Sequence, residues 1–139
     1  MEQRLTIVTL GVSDLKKSTA FYTNVFGWEK LPSSNDDITL IRLNGVLLSL
    51  YDREKLAEDA AVDPQGQGFK GCTLAYNTHS KEEVDQLIAD MESKGVHIVK
   101  RPQEVFWGGY SSYIADPDYH LWEIAFNPFL QLDETGSVS

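Results

Sequence analysis

Two rhythms of apolar residues run along this chain, and they recur in the same order a second time. Residues 5–12 are nearly all β-branched or apolar and predict a strand. Asp14 then stands as a helix cap, and Leu15, Tyr22 and Val25 share one face of a helix that runs to residue 26. Gly27 supplies its stop. Residues 28–31 predict a short strand. Residues 38–43 and 46–51 flank Asn44-Gly45, a signal for a two-residue hairpin turn. Residues 53–61 predict one short helix.

The second pass begins with a strand at residues 72–77. Ser80-Lys81-Glu82-Glu83 is a capping box, and Val84, Leu87, Ile88 and Met91 follow at helical spacing until Gly95. Residues 97–100 predict a strand, and residues 110–115 and 121–126 a hairpin around Asp116-Pro117-Asp118. Strand, helix and three strands thus occur twice, a repeat that sets the whole fold expectation. The expected class is α+β: two βαβββ modules forming a curved mixed sheet around a cavity, with the helices outside. The first module covers residues 1–61 and the second 71–128. A linker rich in glycine spans 62–70, and 129–139 form a flexible tail.

Alternation along each strand assigns the faces. Val8, Leu10 and Val12 belong under the helices, as do Val46, Leu48 and Leu50, then Cys72, Leu74 and Tyr76, and finally Trp122, Ile124 and Phe126. The cavity face then carries Ile7, Thr9 and Gly11 in the first strand and Leu47, Ser49 and Tyr51 in the fourth. In the second module it carries Gly71, Thr73 and Ala75, then Leu121, Glu123 and Ala125. The Asn44-Gly45 turn sets Arg42 opposite Leu47, on the same face. Trp107, beside two glycines, stands at the expected mouth, and Phe106 and Tyr113 are further aromatic candidates. Trp28 is expected to pack in the core. An apolar wall with a few polar groups is the usual make-up of a small-molecule site.

Charge narrows the partners. The formal net charge of −9 argues against a nucleic-acid binder, which would need a basic stripe. Cys72 is the one cysteine, so neither an intrachain disulfide nor a cysteine zinc cluster is available, and a small core residue is its expected role. The start carries no signal-peptide pattern and no apolar run is long enough to span a membrane, so the expected location is cytoplasmic. His79, His97 and His120 read as surface or structural residues.

Val12-Ser13-Asp14-Leu15, Ser18, Phe21-Tyr22 and Phe26-Gly27 resemble the opening signature of the vicinal-oxygen-chelate superfamily, the glyoxalase, bleomycin resistance and dioxygenase family. Trp107-Gly108-Gly109 and Asp116-Pro117-Asp118 resemble its closing one, where Tyr119 stands in place of the usual glycine. In metal-using relatives four cavity positions carry the ligands, the first lying seven residues before the helix-capping Asp. Here they are Ile7, Ser49, Gly71 and Glu123, and only Glu123 is a good ligand. The resemblance therefore implies no metal and no cofactor, and a small-molecule-binding, homodimeric protein of the bleomycin-binding kind. Glu123 is either a ligand anchor or general base, or a carboxylate kept in a solvated groove or paired with Arg42. The alternative function is a glyoxalase-like lyase or isomerase with Glu123 as base or atypical metal ligand.

Overall fold

A computed structural model of the chain describes residues 1–138, which are α+β and divide into two compact units, Met1–Lys70 and the described residues from Gly71 onward. In the first unit β1 (Ile7–Val12), β2 (Ile38–Arg42) and β3 (Leu47–Asp52) form a mixed sheet in the order β1-β3-β2, with β1 parallel and β2 antiparallel to β3. Helix α1 (Leu15–Ala20) starts on Asp14, whose carboxylate accepts the Lys17 amide at 3.1 Å. It runs on into a wider π-helical turn, Phe21–Val25. There Tyr22 is fully buried and packs edge-on to Phe26 at 5.3 Å and stacks with Trp28 at 6.1 Å. A hydroxyl pair, Thr19 and Thr39 at 2.7 Å, ties α1 to β2. Leu10, Val12, Ile41, Leu48 and Leu50 fill the helix side of this sheet.

Residues 28–31 do not make a strand. Only Lys30 bridges, to Ile41. Pro32 follows and has no amide to extend a ladder. Ser34 then takes over the ladder positions, its hydroxyl accepting the Leu40 amide at 2.9 Å. The hairpin turn forms at Asn44-Gly45, with Gly45 at φ +77°. Helix α2 (Arg53–Asp59) follows β3 directly, capped by Asp52. Arg53 reaches the Pro64 carbonyl with two nitrogens, at 3.1 and 2.7 Å, and so fastens the glycine-rich segment.

The second unit is a complete strand-helix-strand-strand-strand unit. Strands β4 (Leu74–Asn77), β5 (His97–Glu104), β6 (Tyr110–Ala115) and β7 (Leu121–Phe126) lie in the order β4-β7-β6-β5, with β4 parallel to β7. Ser80 caps α3 (Lys81–Ser93) by accepting the Glu83 amide. Val84, Ile88 and Met91 bury against a sheet side that includes Ile114, Trp122 and Ile124.

Three expectations change here. Strand β5 continues to Glu104 instead of ending at Lys100, with register shifts on either side of Lys100. It lies at the sheet edge, where Pro102 is tolerated. Cys72 is exposed, because β4 begins only at Leu74. Tyr76 keeps 45% of its surface. The principal sheet contacts of α3 are with β5, β6 and β7, so the edge strand β4 lacks that cover.

The turn before β7 is held by Asp116. Its buried carboxylate accepts the amides of Asp118 at 2.9 Å and His120 at 2.8 Å. Tyr119 sits at φ +64°, a conformation that costs a side-chain-bearing residue about 1–2 kcal/mol. Its ring lies against His97, 5.7 Å between centroids, with the hydroxyl 3.3 Å from Nε2. Beyond Pro128, where the sequence expects a flexible tail, the chain closes a turn on Asp133. The Asp133 carbonyl lies 3.1 Å from His79 Nε2.

Candidate functional site

Alternation leaves one face of the second sheet without a helix, and on it the strand register lines up a polar row. Ala75 on β4 is opposite Glu123 on β7, Glu123 is opposite Tyr113 on β6, and Tyr113 is opposite Lys100 on β5. One step along, Ala125, Ser111 and Gln103 make a second row. Glu123 is half-buried, and Ser111 Oγ donates to its Oε2 at 2.6 Å. The Tyr113 phenol is pushed above its ordinary pKa, first by burial and then by the charge and hydrogen bond of Glu123, with Thr73 pulling the other way. Tyr113 therefore stays a neutral phenol beside the carboxylate.

A cleft of about 380 Å³ opens over this face, lined by Lys100, Gln103, Ser111, Tyr113 and Glu123 from the strands and by Glu104, Val105, Phe106 and Trp107 from the β5–β6 connection. Lys100 and Gln103 join it because the longer, register-shifted β5 brings them onto this face. The connection is closed by Val105 and Gly109, 3.0 Å from amide to carbonyl, with Gly108 at φ +96°. The Trp107 indole folds back over Gly109 so closely that a β-carbon there would lie 1.9 Å from a ring atom. Gly109 thus sets where Trp107 stands. We expect Gly109→Ala to drive the indole off its place while leaving the sheet folded. Tryptophan emission should move to the red with little change in melting temperature. Unchanged emission would contradict this placement.

The sequence-derived candidates divide between the units. Thr73, Trp107, Tyr113 and Glu123 belong to the second. Ile7, Thr9, Arg42, Leu47, Ser49 and Tyr51 share one face of the first, where Ile7–Leu47–Arg42 and Thr9–Ser49–Leu40 are cross-strand rows and α2 begins against Gly11. Arg42 and Ile7 are exposed, whereas Ser49 is 2% exposed and its hydroxyl has no hydrogen-bond partner. Lys100, Gln103 and Ser111 were not singled out by sequence reasoning. Ser111 has the same parity as Tyr113 and was recoverable from it. Lys100 and Gln103 were hidden by the shifts in β5.

The donor set at the four family ligand positions does not fit a transition metal. Ile7 and Gly71 have no side-chain donor, and Ser49 offers a neutral hydroxyl. Among the described residues no three His, Cys, Asp or Glu side chains come together as a metal site.

Two mixed sheets, each with a parallel outer pair and a helix-covered face, and a carboxylate in the last strand define a known class. The chain belongs to the Glyoxalase/Bleomycin resistance protein/Dioxygenase superfamily, whose family model matches residues 4–124. Among curated proteins it is similar to the fosfomycin resistance protein FosX of Listeria monocytogenes, 29% identical over 126 residues and 86% of each chain. It is also similar to the metallothiol transferase FosB of Lysinibacillus sphaericus, 30% identical over 121 residues, covering 87% of this chain and 80% of that protein. Among solved structures, a glyoxalase-related enzyme from Fulvimarina pelagi superposes with a TM-score of 0.87 at 33% identity, covering 99% of this chain and 98% of that one.

Proposed function

We propose that this chain is a small-molecule-binding member of the superfamily that works without the family's usual metal, and that Glu123 is the residue that orients the ligand. The observation that carries the reading is the state of Glu123. Ser111 Oγ donates to one oxygen at 2.6 Å, and Tyr113 is its cross-strand neighbour on the same face. A carboxylate supported by hydroxyl donors, in place of a cation, remains an acceptor for a ligand's N–H or O–H. Trp107 and Phe106 supply the apolar contact area. Thr73 belongs to the same proposal, as a neighbour of the Tyr113 phenol. The face bearing Ile7, Thr9, Arg42, Leu47, Ser49 and Tyr51 is proposed as a second ligand-contacting surface.

Metal analysis and melting curves test the proposal. Protein purified without added metal should carry no stoichiometric transition metal, and zinc, nickel, manganese or iron should raise the melting temperature by no more than a degree or two. A tight site would stabilise the fold by several kcal/mol at saturating metal, on the order of 4 kcal/mol at a thousandfold excess over Kd. A shift of that size that Glu123→Gln abolishes would defeat the reading and favour the alternative, a glyoxalase-like lyase or isomerase with Glu123 as metal ligand. A base role for Glu123 without metal is the other form of that alternative.

We also propose a cytoplasmic homodimer. Each sheet has two edge strands, and dimerisation is a common way to cover such edges. Phe106 and Phe129 are exposed apolar residues that an interface would bury. Sedimentation at micromolar concentration should give twice the chain mass of 15.6 kDa, and a monomer alone would contradict the dimer.

A further inference from the structure

The charges of the second unit's cleft are arranged in an unusual way. Glu123 and Lys100 project from the same face of the sheet, in one cross-strand row, with Tyr113 between them. Two strand spacings separate their backbones, about 10 Å. They form no ion pair. Glu104, the other carboxylate that lines the cleft, is engaged by Lys81 at 2.5 Å. Glu123 is met by hydroxyls. Among the described residues Lys100 is left as a cation with no carboxylate partner, in a chain whose net charge is −9. Both groups line the same cleft, and Trp107 and Phe106 line it with them.

A negative group and a positive group held apart across an aromatic-walled cleft match one kind of ligand. The geometry points to a zwitterion with a flat apolar body, its ammonium on Glu123 and its anionic group on Lys100, with the body against Trp107. This rests on the reading of Glu123 as a ligand-orienting acceptor and adds the class of molecule. Charge-assisted hydrogen bonds at both ends favour the doubly charged molecule over one that leaves either group unanswered. The cleft volume of about 380 Å³ lies at the small end for ligand sites, consistent with a single-ring compound.

Three probes with one ring in common test this. 4-(Aminomethyl)benzoate carries both charges, 4-methylbenzylamine only the cation and 4-methylbenzoate only the anion. Each is titrated into the intact protein while the indole N–H resonances are followed. Trp28 and Trp122, which do not line the cleft, serve as internal controls. The zwitterion should move the Trp107 signal with an affinity about tenfold or more above either singly charged probe. Lys100→Met should reduce it to the level of 4-methylbenzylamine, and Glu123→Gln to that of 4-methylbenzoate. If 4-methylbenzylamine binds wild-type protein as tightly as the zwitterion, Lys100 takes no part and the inference falls, while the reading of Glu123 stands. If none of the three probes moves the Trp107 signal, both fall.

Discussion

Replacing Tyr22 by alanine should lower stability by about 3–5 kcal/mol, the usual cost of emptying a large aromatic site in a core. Tyr22 has no exposed surface, and it touches Phe21, Phe26 and Trp28 at centroid distances of 5.1, 5.3 and 6.1 Å. The three rings come from one turn and the residues just after it, so nothing else in that turn can fill the hole. The residue also sits where α1 widens into a π-helical turn, and its carbonyl accepts the Trp28 amide at 3.1 Å. Total stability of a domain this size is about 5–15 kcal/mol, so a large part is at risk. The melting temperature should fall by roughly 10–20 °C. Tyr22→Phe, which keeps the ring, should lose far less. A loss under about 1 kcal/mol for the alanine variant would mean that the cluster repacks, contrary to the close packing of protein interiors.

The second large effect should come from Asp116→Ala. The carboxylate is buried and holds two backbone amides, at 2.9 and 2.8 Å, in the turn that feeds β7. Removing a charged acceptor of this kind costs about 2–3 kcal/mol. Asp116→Asn retains an acceptor oxygen and should recover much of it. The consequence reaches the cleft. Tyr119 holds φ +64° in this turn, and with the brace gone the strain favours other turn conformations. A one-residue slip of β7 against β6 would turn Glu123 to the helix side. We therefore expect faster amide exchange through residues 117–126 in Asp116→Ala, more than in α3. Uniform acceleration over the whole unit would show that the turn does not set the register.

Much of the fold is legible in the residues themselves. The Asp14 cap, the Ser80 cap and the Asn44-Gly45 turn act through local chemistry, so each appears where its residues stand. The parity of β3 and β7 is equally plain, since Leu48 and Leu50, or Trp122 and Ile124, bury together. What alternation does not carry is coverage and register. Tyr76 has helix-side parity, yet α3 packs chiefly over the other strands. Residues 28–31 have strand composition, yet Pro32 and the Ser34 hydroxyl cut the ladder to one bridge. Lys100 could be assigned to the cleft only after the shifts in β5 were seen, because a bulge changes which residues face each way. Ser111 was within reach of sequence reasoning, from the parity of Tyr113 and the antiparallel pairing with β7.

Glu123 lines the cleft of the second unit. Its carboxylate belongs to the family's last-strand position, but its partners here are Ser111 and Tyr113, and the companion ligand positions hold Ile7, Ser49 and Gly71. A crystal structure of the protein as purified, with anomalous data collected for transition metals, tests this most directly. The account predicts non-protein density of an organic molecule against Trp107, with a hydrogen-bonding atom on Glu123, and no anomalous peak. A peak at metal–oxygen distance from Glu123, about 2.0–2.2 Å, or a cleft holding only bulk solvent, would contradict it.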